Sequence, residues 1–306
     1  MPDKGPAPNV THCGFAAVIG APNAGKSTLV NALVGAKVSI VTHKAQTTRA
    51  RMRGIAIAGE SQIILVDTPG IFTPKRRLDR AMVETAWTEA REAEVAVLVA
   101  DAARGFDDLV DPILEHAREL KIPLVLALNK VDKIHKEKLL SLAEEASKRL
   151  QLDGLFMISA LSGDGVGDLK SYLASRMPPG PWLFPEDQIA DAPLRQWAAE
   201  VTREKMFMRL HEEIPYSSTV ETTDWKERKD GSIRIDQTIF VERESQRKIV
   251  LGAKGQAIKQ ISMEARREIA EAIESPVHLF LFVKVRENWA DDPERYREMG
   301  LDFPKS

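Results

Sequence analysis

The chain has 306 residues, of which 43% are hydrophobic and 29% charged, with a formal net charge of -2. That length suits two ordinary domains and the composition excludes a disordered chain, while the near-neutral charge excludes a protein that coats nucleic acid by bulk attraction, so any such binding would need a local basic patch. The single cysteine, Cys13, read as a small packed residue, excludes an internal disulfide framework; with a polar opening segment and no apolar run of membrane-spanning length, the expected compartment is the reducing cytoplasm.

Residues 15–19 form a short apolar run that reads as a strand. It leads into Gly20-Ala21-Pro22-Asn23-Ala24-Gly25-Lys26-Ser27, followed by a helical pattern that opens at Thr28. This fits GxxxxGK[ST] between strand and helix. The glycines let backbone N–H groups close around phosphate oxygens, Lys26 reaches the terminal phosphates and the Ser27 hydroxyl holds Mg²⁺. The whole run 20–28 is therefore assigned to nucleotide binding.

Residues 35–54 keep no helix or strand period and are rich in Thr, Lys and Arg, which suits an exposed mobile loop; it contains Gln46-Thr47-Thr48-Arg49. The β-rich runs 55–58 and 63–66 enclose Gly59-Glu60-Ser61 and predict an antiparallel hairpin at a sheet edge. The second run ends in Asp67-Thr68-Pro69-Gly70. A carboxylate at the carboxyl end of a strand, beside a phosphate loop, suits a Mg²⁺-linked acid, and Gly70 offers an unobstructed N–H to a γ-phosphate.

Leu78, Ala81, Met82, Thr85, Ala86 and Ala90 recur at helical spacing, and residues 95–100 read as a buried strand. A helix carrying Leu109, Ile113, Leu114, Ala117 and Leu120 precedes a strand over 124–128. The alternation predicts a mostly parallel six-stranded sheet with helices on both faces. Asn129-Lys130-Val131-Asp132 follows that strand. Asp132 can accept from both guanine N1–H and the exocyclic amine, neither of which adenine offers as a donor there, so the carboxylate selects GTP. Asn129 and Lys130 would hold the loop and cover the base. A last strand over 155–158 ends in Ser159-Ala160, small enough for a backbone N–H to approach the base, and a helix over 166–177 closes the domain.

Together GAPNAGKS, KAQTTR, DTPG, NKVD and SA resemble the translation-factor-like GTPases, and within them the bacterial Era group. The resemblance implies phosphate and Mg²⁺ roles for Lys26, Ser27, Thr48, Asp67 and Gly70, and guanine contacts for Asn129, Lys130, Asp132, Ser159 and Ala160. Either Thr47 or Thr48 would be the loop's Mg²⁺ ligand, with Thr48 favoured because it directly precedes Arg49. Ala24 replaces a Val common in the family. Many GTPases orient water with a glutamine after the Asp-x-x-Gly motif; here the residue is Ile71, so slow hydrolysis is expected. Asn23 is either a K⁺ ligand, as the resemblance implies, or a loop-shaping residue. Lys26, Thr48, Gly70 and Asn23 are the expected catalytic set, with Arg49, Arg51 and Arg53 as alternative sources of charge.

Pro178-Pro179-Gly180-Pro181 with Pro185 and Pro193 breaks all periodicity and predicts a stiff linker over 178–193, between a GTPase domain at 13–177 and a second domain at 194–290. Residues 1–12 are expected as a flexible start and 291–306 as a tail. Residues 194–214 read as a helix, 218–225 and 232–241 as strands around Lys229-Asp230-Gly231, and 246–251 as a helix. Then come Gly252-Ala253-Lys254-Gly255, a helix over 257–273 and a strand over 277–285. That order matches an α+β type II KH domain, whose GXXG loop clamps single-stranded RNA. Residues 243–267 hold seven Lys or Arg against Glu244 and Glu264, a local charge of +5. Arg247, Lys248, Lys254, Lys259, Arg266 and Arg267 are the expected RNA-binding cations.

By the resemblance the RNA is the 3′ end of 16S rRNA, the role lies in small (30S) subunit maturation, the chain is a monomer and the cofactors are Mg²⁺ with GTP or GDP, with K⁺ at Asn23. Peripheral membrane association belongs to the same implication. The residues alone support a GTPase joined to a single-stranded RNA binder, and two complete sites on one chain motivate the expectation that the nucleotide gates RNA binding. A non-catalytic assembly factor holding GTP as a cofactor is the alternative that Ile71 suggests.

Overall fold

The computed structural model describes residues 10–44, 47–49, 52–210, 214–287, 289 and 292–303. Ala45 and Gln46 of the loop motif, Arg51, most of the opening segment, and Ala290 and Asp291 of the tail lie outside the described residues. The described chain divides into two compact units. One contains the residues up to Ser39, Thr48–Lys75 and Asp79–Asp191; the other contains Ile40–Thr47, Arg76–Leu78 and the residues from Ala192 onward.

In the first unit the elements run β1 (His12–Gly20), α1 (Lys26–Val34), β2 (Met52–Ala58), β3 (Ser61–Asp67), α2 (Arg77–Glu92), β4 (Val95–Asp101), α3 (Asp111–Ala117), β5 (Leu124–Asn129), α4 (Lys136–Arg149), β6 (Gly154–Met157) and α5 (Val166–Arg176). The sheet order is β2-β3-β1-β4-β5-β6. Only β2 against β3 is antiparallel, the expected edge hairpin. Strands such as β4 and β5 bury nearly every side chain because helices cover both faces. One apolar cluster joins Ile19, Leu98, Leu114, Leu126 and Leu142; the other joins Val18, Leu29, Leu33, Val97 and Leu169 on the opposite face.

The structure departs from the sequence-based expectation at two helices. Helix α4, with Leu139, Leu142 and Ala146 buried at helical spacing, stands between Asp132 and the last strand, where no helix is expected. Conversely α3 is shorter than expected at both ends: Leu109 lies before it, 44% exposed, and Leu120 follows it in a turn. The proline-rich residues 178–191 lie along the first unit. Ile55 N–H donates to the Ile189 carbonyl at 2.9 Å and Asp191 N–H to the Arg53 carbonyl at 3.0 Å. The buried Gln62 side chain accepts from Leu183 and Phe184 N–H at 2.9 and 3.0 Å.

The second unit runs α6 (Leu194–Arg209), β7 (Ser218–Glu227), β8 (Ile233–Val241), α7 (Glu244–Leu251), a 3₁₀ turn (Ala253–Gly255), α8 (Gln256–Ala272), β9 (Val277–Val285) and α9 (Pro293–Glu298). The sheet order is β7-β8-β9, with β7–β8 antiparallel through the Asp230-Gly231 turn and β8–β9 parallel. Ile239, Val241, Val250 and Ile261 centre its core. α6 stops at Arg209 rather than running to 214, because Leu210 is extended (φ -94°, ψ 147°). Past β9, Asp292 caps α9 and Pro293 opens it. Trp289, Tyr296 and Leu301 are buried, and Trp289 Nε1 donates to Ser217 O at 3.0 Å.

Candidate nucleotide and RNA sites

The carboxyl ends of β1, β3, β4 and β5 fall at one edge of the sheet: Val18 pairs with Asp67, Gly20 with Val99 and Asp101 with Asn129. β1 lies where the strand order reverses, the crevice in which open α/β sheets bind ligands. Backbone demands fix the loop there. Gly20 adopts φ +146°, and a Cβ on it would stand 2.3 Å from the Val99 carbonyl oxygen; Gly25 adopts φ +102° and a Cβ would meet Asn129 Nδ2 at 2.2 Å. Asn23 takes a left-handed φ of 64°.

Inside this turn Lys26 Nζ donates to the carbonyls of Gly20 and Ala21 at 3.1 and 3.0 Å. Burial pushes its pKa down to about 8, against the attraction of Asp67. Ser27 Oγ donates to Asp67 Oδ2 at 2.7 Å and stands 3.0 Å from Thr48 Oγ1, which lies 3.3 Å from the same carboxylate oxygen. Burial raises the Asp67 pKa, with Ser27 and Lys26 opposing it. Asp67 Oδ1 is buried with no hydrogen-bond partner among the described residues. An all-oxygen trio with an unspent carboxylate oxygen fits a hard divalent cation completed by phosphate and water. No group of three or more His, Cys, Asp or Glu gathers to hold a metal among the described residues.

Thr68 Oγ1 donates to Val18 O at 2.8 Å, and Gly70 sits so close to Pro22 that a Cβ would meet its Cα at 3.0 Å. Pro69 lies buried between them. Ile71 is buried in the apolar cluster beneath, its N–H donating to Gly20 O at 3.0 Å.

On the base side Asn129 ties three loops together. Its Nδ2 donates to Ala24 O at 2.8 Å, and its Oδ1 accepts from Lys130 N at 2.8 Å and Ala160 N at 2.9 Å. Lys130, left-handed at φ 67°, donates from Nζ to Asn23 O and to Asp101 Oδ2, both at 2.7 Å. Asp132 is exposed in the 3₁₀ turn that follows, and Ser159 is fully buried. Thr28 stands half-buried in the first turn of α1. Asp101 is absent from the sequence-based site; the signal that marks it is an acid ending a buried strand at the ligand edge.

These motifs fall within matches to known proteins. Residues 15–130 match a family described as 50S ribosome-binding GTPase, and residues 213–290 match the KH domain. The GTPase Era of Bradyrhizobium diazoefficiens is 62% identical over 302 residues, covering 99% of this chain and 98% of the relative. The GTPase Era of Brucella suis is 63% identical over 294 residues, 96% of this chain and 94% of that one. The chain belongs to the Era family of GTPases. A solved Era structure, described as a complex with MgGDPNP and nucleotides 1506–1542 of 16S ribosomal RNA, is 40% identical with a TM-score of 0.89, covering 95% of this chain and 99% of that chain. A solved single-residue variant of Aquifex aeolicus Era, bound to GDP·AlF4⁻, aligns with the same TM-score, identity and coverage.

The Era-family KH unit carries its glycine loop where the sequence predicts it. Gly252 is left-handed in φ (72°), and a Cβ there would stand 2.7 Å from Ala257 Cβ; Gly255 adopts φ +75° with open space around it. Ala253 and Lys254 project into solvent between them. Lys248, Lys259, Arg266 and Arg267 are exposed. Lys259 and Arg266, seven residues apart on α8, share one stripe. Arg247 is half-buried and engaged, pairing with Glu244 at 2.9 Å and donating to Val283 O at 3.3 Å. Among the described residues no helix is long and apolar enough to cross a membrane.

Proposed function

We propose that this GTPase binds the 3′ end of 16S rRNA through its KH unit under control of the bound nucleotide, and acts in assembly of the small ribosomal subunit. The observation that carries the reading is the match over nearly the whole of both chains to an Era structure described as holding MgGDPNP and nucleotides 1506–1542 of 16S ribosomal RNA. Both halves of the required chemistry stand on this chain: a phosphate and guanine cradle, and a strained glycine loop flanked by exposed cations.

In this reading Ser27, Thr48 and Asp67 would hold Mg²⁺, which when bound neutralises charge on the phosphate oxygens. The run from Gly20 to Thr28 wraps the phosphates, Lys26 donates to their terminal oxygens in place of its present carbonyls, and Gly70 N–H faces the γ-phosphate. Asp132 accepts from the guanine ring. Lys130 and Ala160 border the base, while Asn129 and Ser159 hold their loops. Ile71, packed into the core, cannot orient water, so turnover is slow, and Asn23 offers an amide oxygen to a K⁺ ion that adds charge. Gly252, Ala253, Lys254 and Gly255 bring backbone against RNA phosphates; Lys248, Lys259, Arg266 and Arg267 supply the attraction, with Arg247 in a supporting place. The chain acts as a monomer in the cytoplasm and associates peripherally with the membrane.

The test is binding of an oligonucleotide carrying the 16S 3′ end to the full chain loaded with GDPNP or GDP, beside a scrambled sequence. Tighter binding of the native sequence in the GDPNP state is expected. Equal affinity in both states overturns gating, and equal affinity for the scrambled RNA overturns the assigned target.

A further inference from the structure

Asp101 ends β4 at the ligand edge and stands outside the motifs that mark the nucleotide site. Its main chain is fixed from several sides. It pairs in register with Asn129 on β5, Ala102 N–H donates to Asn129 O at 2.9 Å, and Arg104 and Gly105 N–H donate to Asp101 O at 3.1 and 3.0 Å. Both carboxylate oxygens are engaged: Oδ1 accepts from Ala103 N–H at 3.0 Å and Oδ2 from Lys130 Nζ at 2.7 Å. The side chains of Asp101 and Lys130 are 13% and 25% exposed, so water and salt screen this ion pair less than one on an open surface.

Lys130 needs such an anchor. Its backbone is left-handed at φ 67°, a region that a residue with a Cβ keeps only where its surroundings hold it there. Its N–H donates to Asn129 Oδ1 at 2.8 Å, and its ammonium donates to Asp101 and to the Asn23 carbonyl. Asn23, in the phosphate loop, is itself left-handed at φ 64°. Four non-glycine residues among the described ones have positive φ, and this ammonium ties two of them together. A long lysine stem loses rotamer freedom when its head is fixed, and a carboxylate already held in place offsets that loss before any nucleotide binds.

We infer that Asp101 is a positioning residue for guanine-nucleotide binding: by anchoring the Lys130 ammonium beside the Asn23 carbonyl, it locks the loop that borders the base to the loop that wraps the phosphates, and so slows nucleotide release. The lock includes neither Gly70, assigned to the γ-phosphate, nor Thr48, assigned to Mg²⁺, so it serves GDP and GTP alike. This rests on the reading of Lys130 as bordering the base.

The experiment uses the full chain as wild type, Asp101→Ala, Asp101→Asn, Asp101→Glu, Lys130→Met and the double variant Asp101→Ala with Lys130→Met. Release rates of fluorescently labelled GDP and GDPNP are read, with the unfolding midpoint alongside. Asp101→Ala and Lys130→Met should each speed release of both nucleotides about tenfold, for the loss of a charge-assisted hydrogen bond. The double variant should release no faster than Lys130→Met alone, because Asp101 acts through that ammonium. Asp101→Asn should release as fast as Asp101→Ala, since an amide has one oxygen and cannot serve both Ala103 N–H and Lys130. Asp101→Glu keeps a carboxylate within reach of a flexible ammonium and should recover part of the loss. Folded Asp101→Ala with wild-type release overturns the inference, as does a double variant whose effect is the product of the two single ones, or an effect confined to GDPNP. If Asp101→Ala does not fold, Asp101→Asn takes its place, alone and in the double variant. Lys130→Met at the wild-type rate overturns the assignment of Lys130 beneath the inference. RNA affinity equal in the two nucleotide states sinks the gating reading alone.

Discussion

Asn129 and Asp132 stand three residues apart and do different work. Asn129 is buried and serves Ala24, Lys130 and Ala160, so Asn129→Ala strands three backbone groups and should cost about 3 kcal/mol of folding stability, read from the denaturant midpoint. Asp132 is exposed, so Asp132→Ala should leave that midpoint nearly unmoved while weakening GTP binding at least about a hundredfold. Lys26 gives a pH signature. Its folded pKa of about 8 lies below its ordinary 10.5, so between those values the unfolded chain holds a proton that the folded one has released. Stability of the nucleotide-free protein therefore rises with pH across that window, by up to about 3 kcal/mol, and below it the penalty is constant. Lys26→Met removes the penalty, so its stability advantage over wild type should be large at pH 7.5 and shrink by pH 10. These residues are legible in the sequence because each motif sits at a strand end. Asp101 carries the same strand-end signal without a motif around it, but neither its pairing with Lys130 nor the Arg203–Thr47 bond is legible, because nothing local in sequence announces a partner 29 or 156 residues away.

At the scale of elements, strands buried on both faces are plain as unbroken apolar runs, and β9 is delimited to the residue. Helix α4 is not, because its three buried positions are embedded in Lys and Glu and the stripe is narrow. The sequence overextends α3 because Leu109 and Leu120 keep the helical period without being helical. The end of α6 is equally hidden, since apolar residues continue past it and the stop comes from an extended Leu210. The glycine loop yields a paired prediction. Gly252→Ala meets Ala257 at 2.7 Å and should distort the loop, lowering RNA affinity about tenfold or more; Gly255→Ala has open space and bears only the left-handed penalty of about 1–2 kcal/mol. Filter binding of both variants, with unfolding midpoints as the control, separates the two effects.

For the whole molecule, a net charge of -2 conceals a concentration of cations between residues 243 and 267. Six of them, Arg243, Lys248, Lys254, Lys259, Arg266 and Arg267, stand exposed, whereas Arg247 is half-buried and already paired. RNA affinity should therefore fall steeply with salt, and Lys254→Ala should reduce the slope of log K against log salt by about 0.7, the share of one phosphate contact on a single strand. Arg247→Gln should change it less. Titrations at several potassium chloride concentrations measure both.

The segment Ile40–Thr47 is encoded far upstream of the helix it completes. In terms of inheritance, the proline-rich stretch is a false seam: a recombinant that exchanges everything after it between two distant relatives would pair one parent's α6 with the other parent's loop. Chimaeras joined there should be viable only when residues 40–47 travel with the downstream half, so this short stretch and α6 are expected to change together across lineages despite the long interval of chain between them.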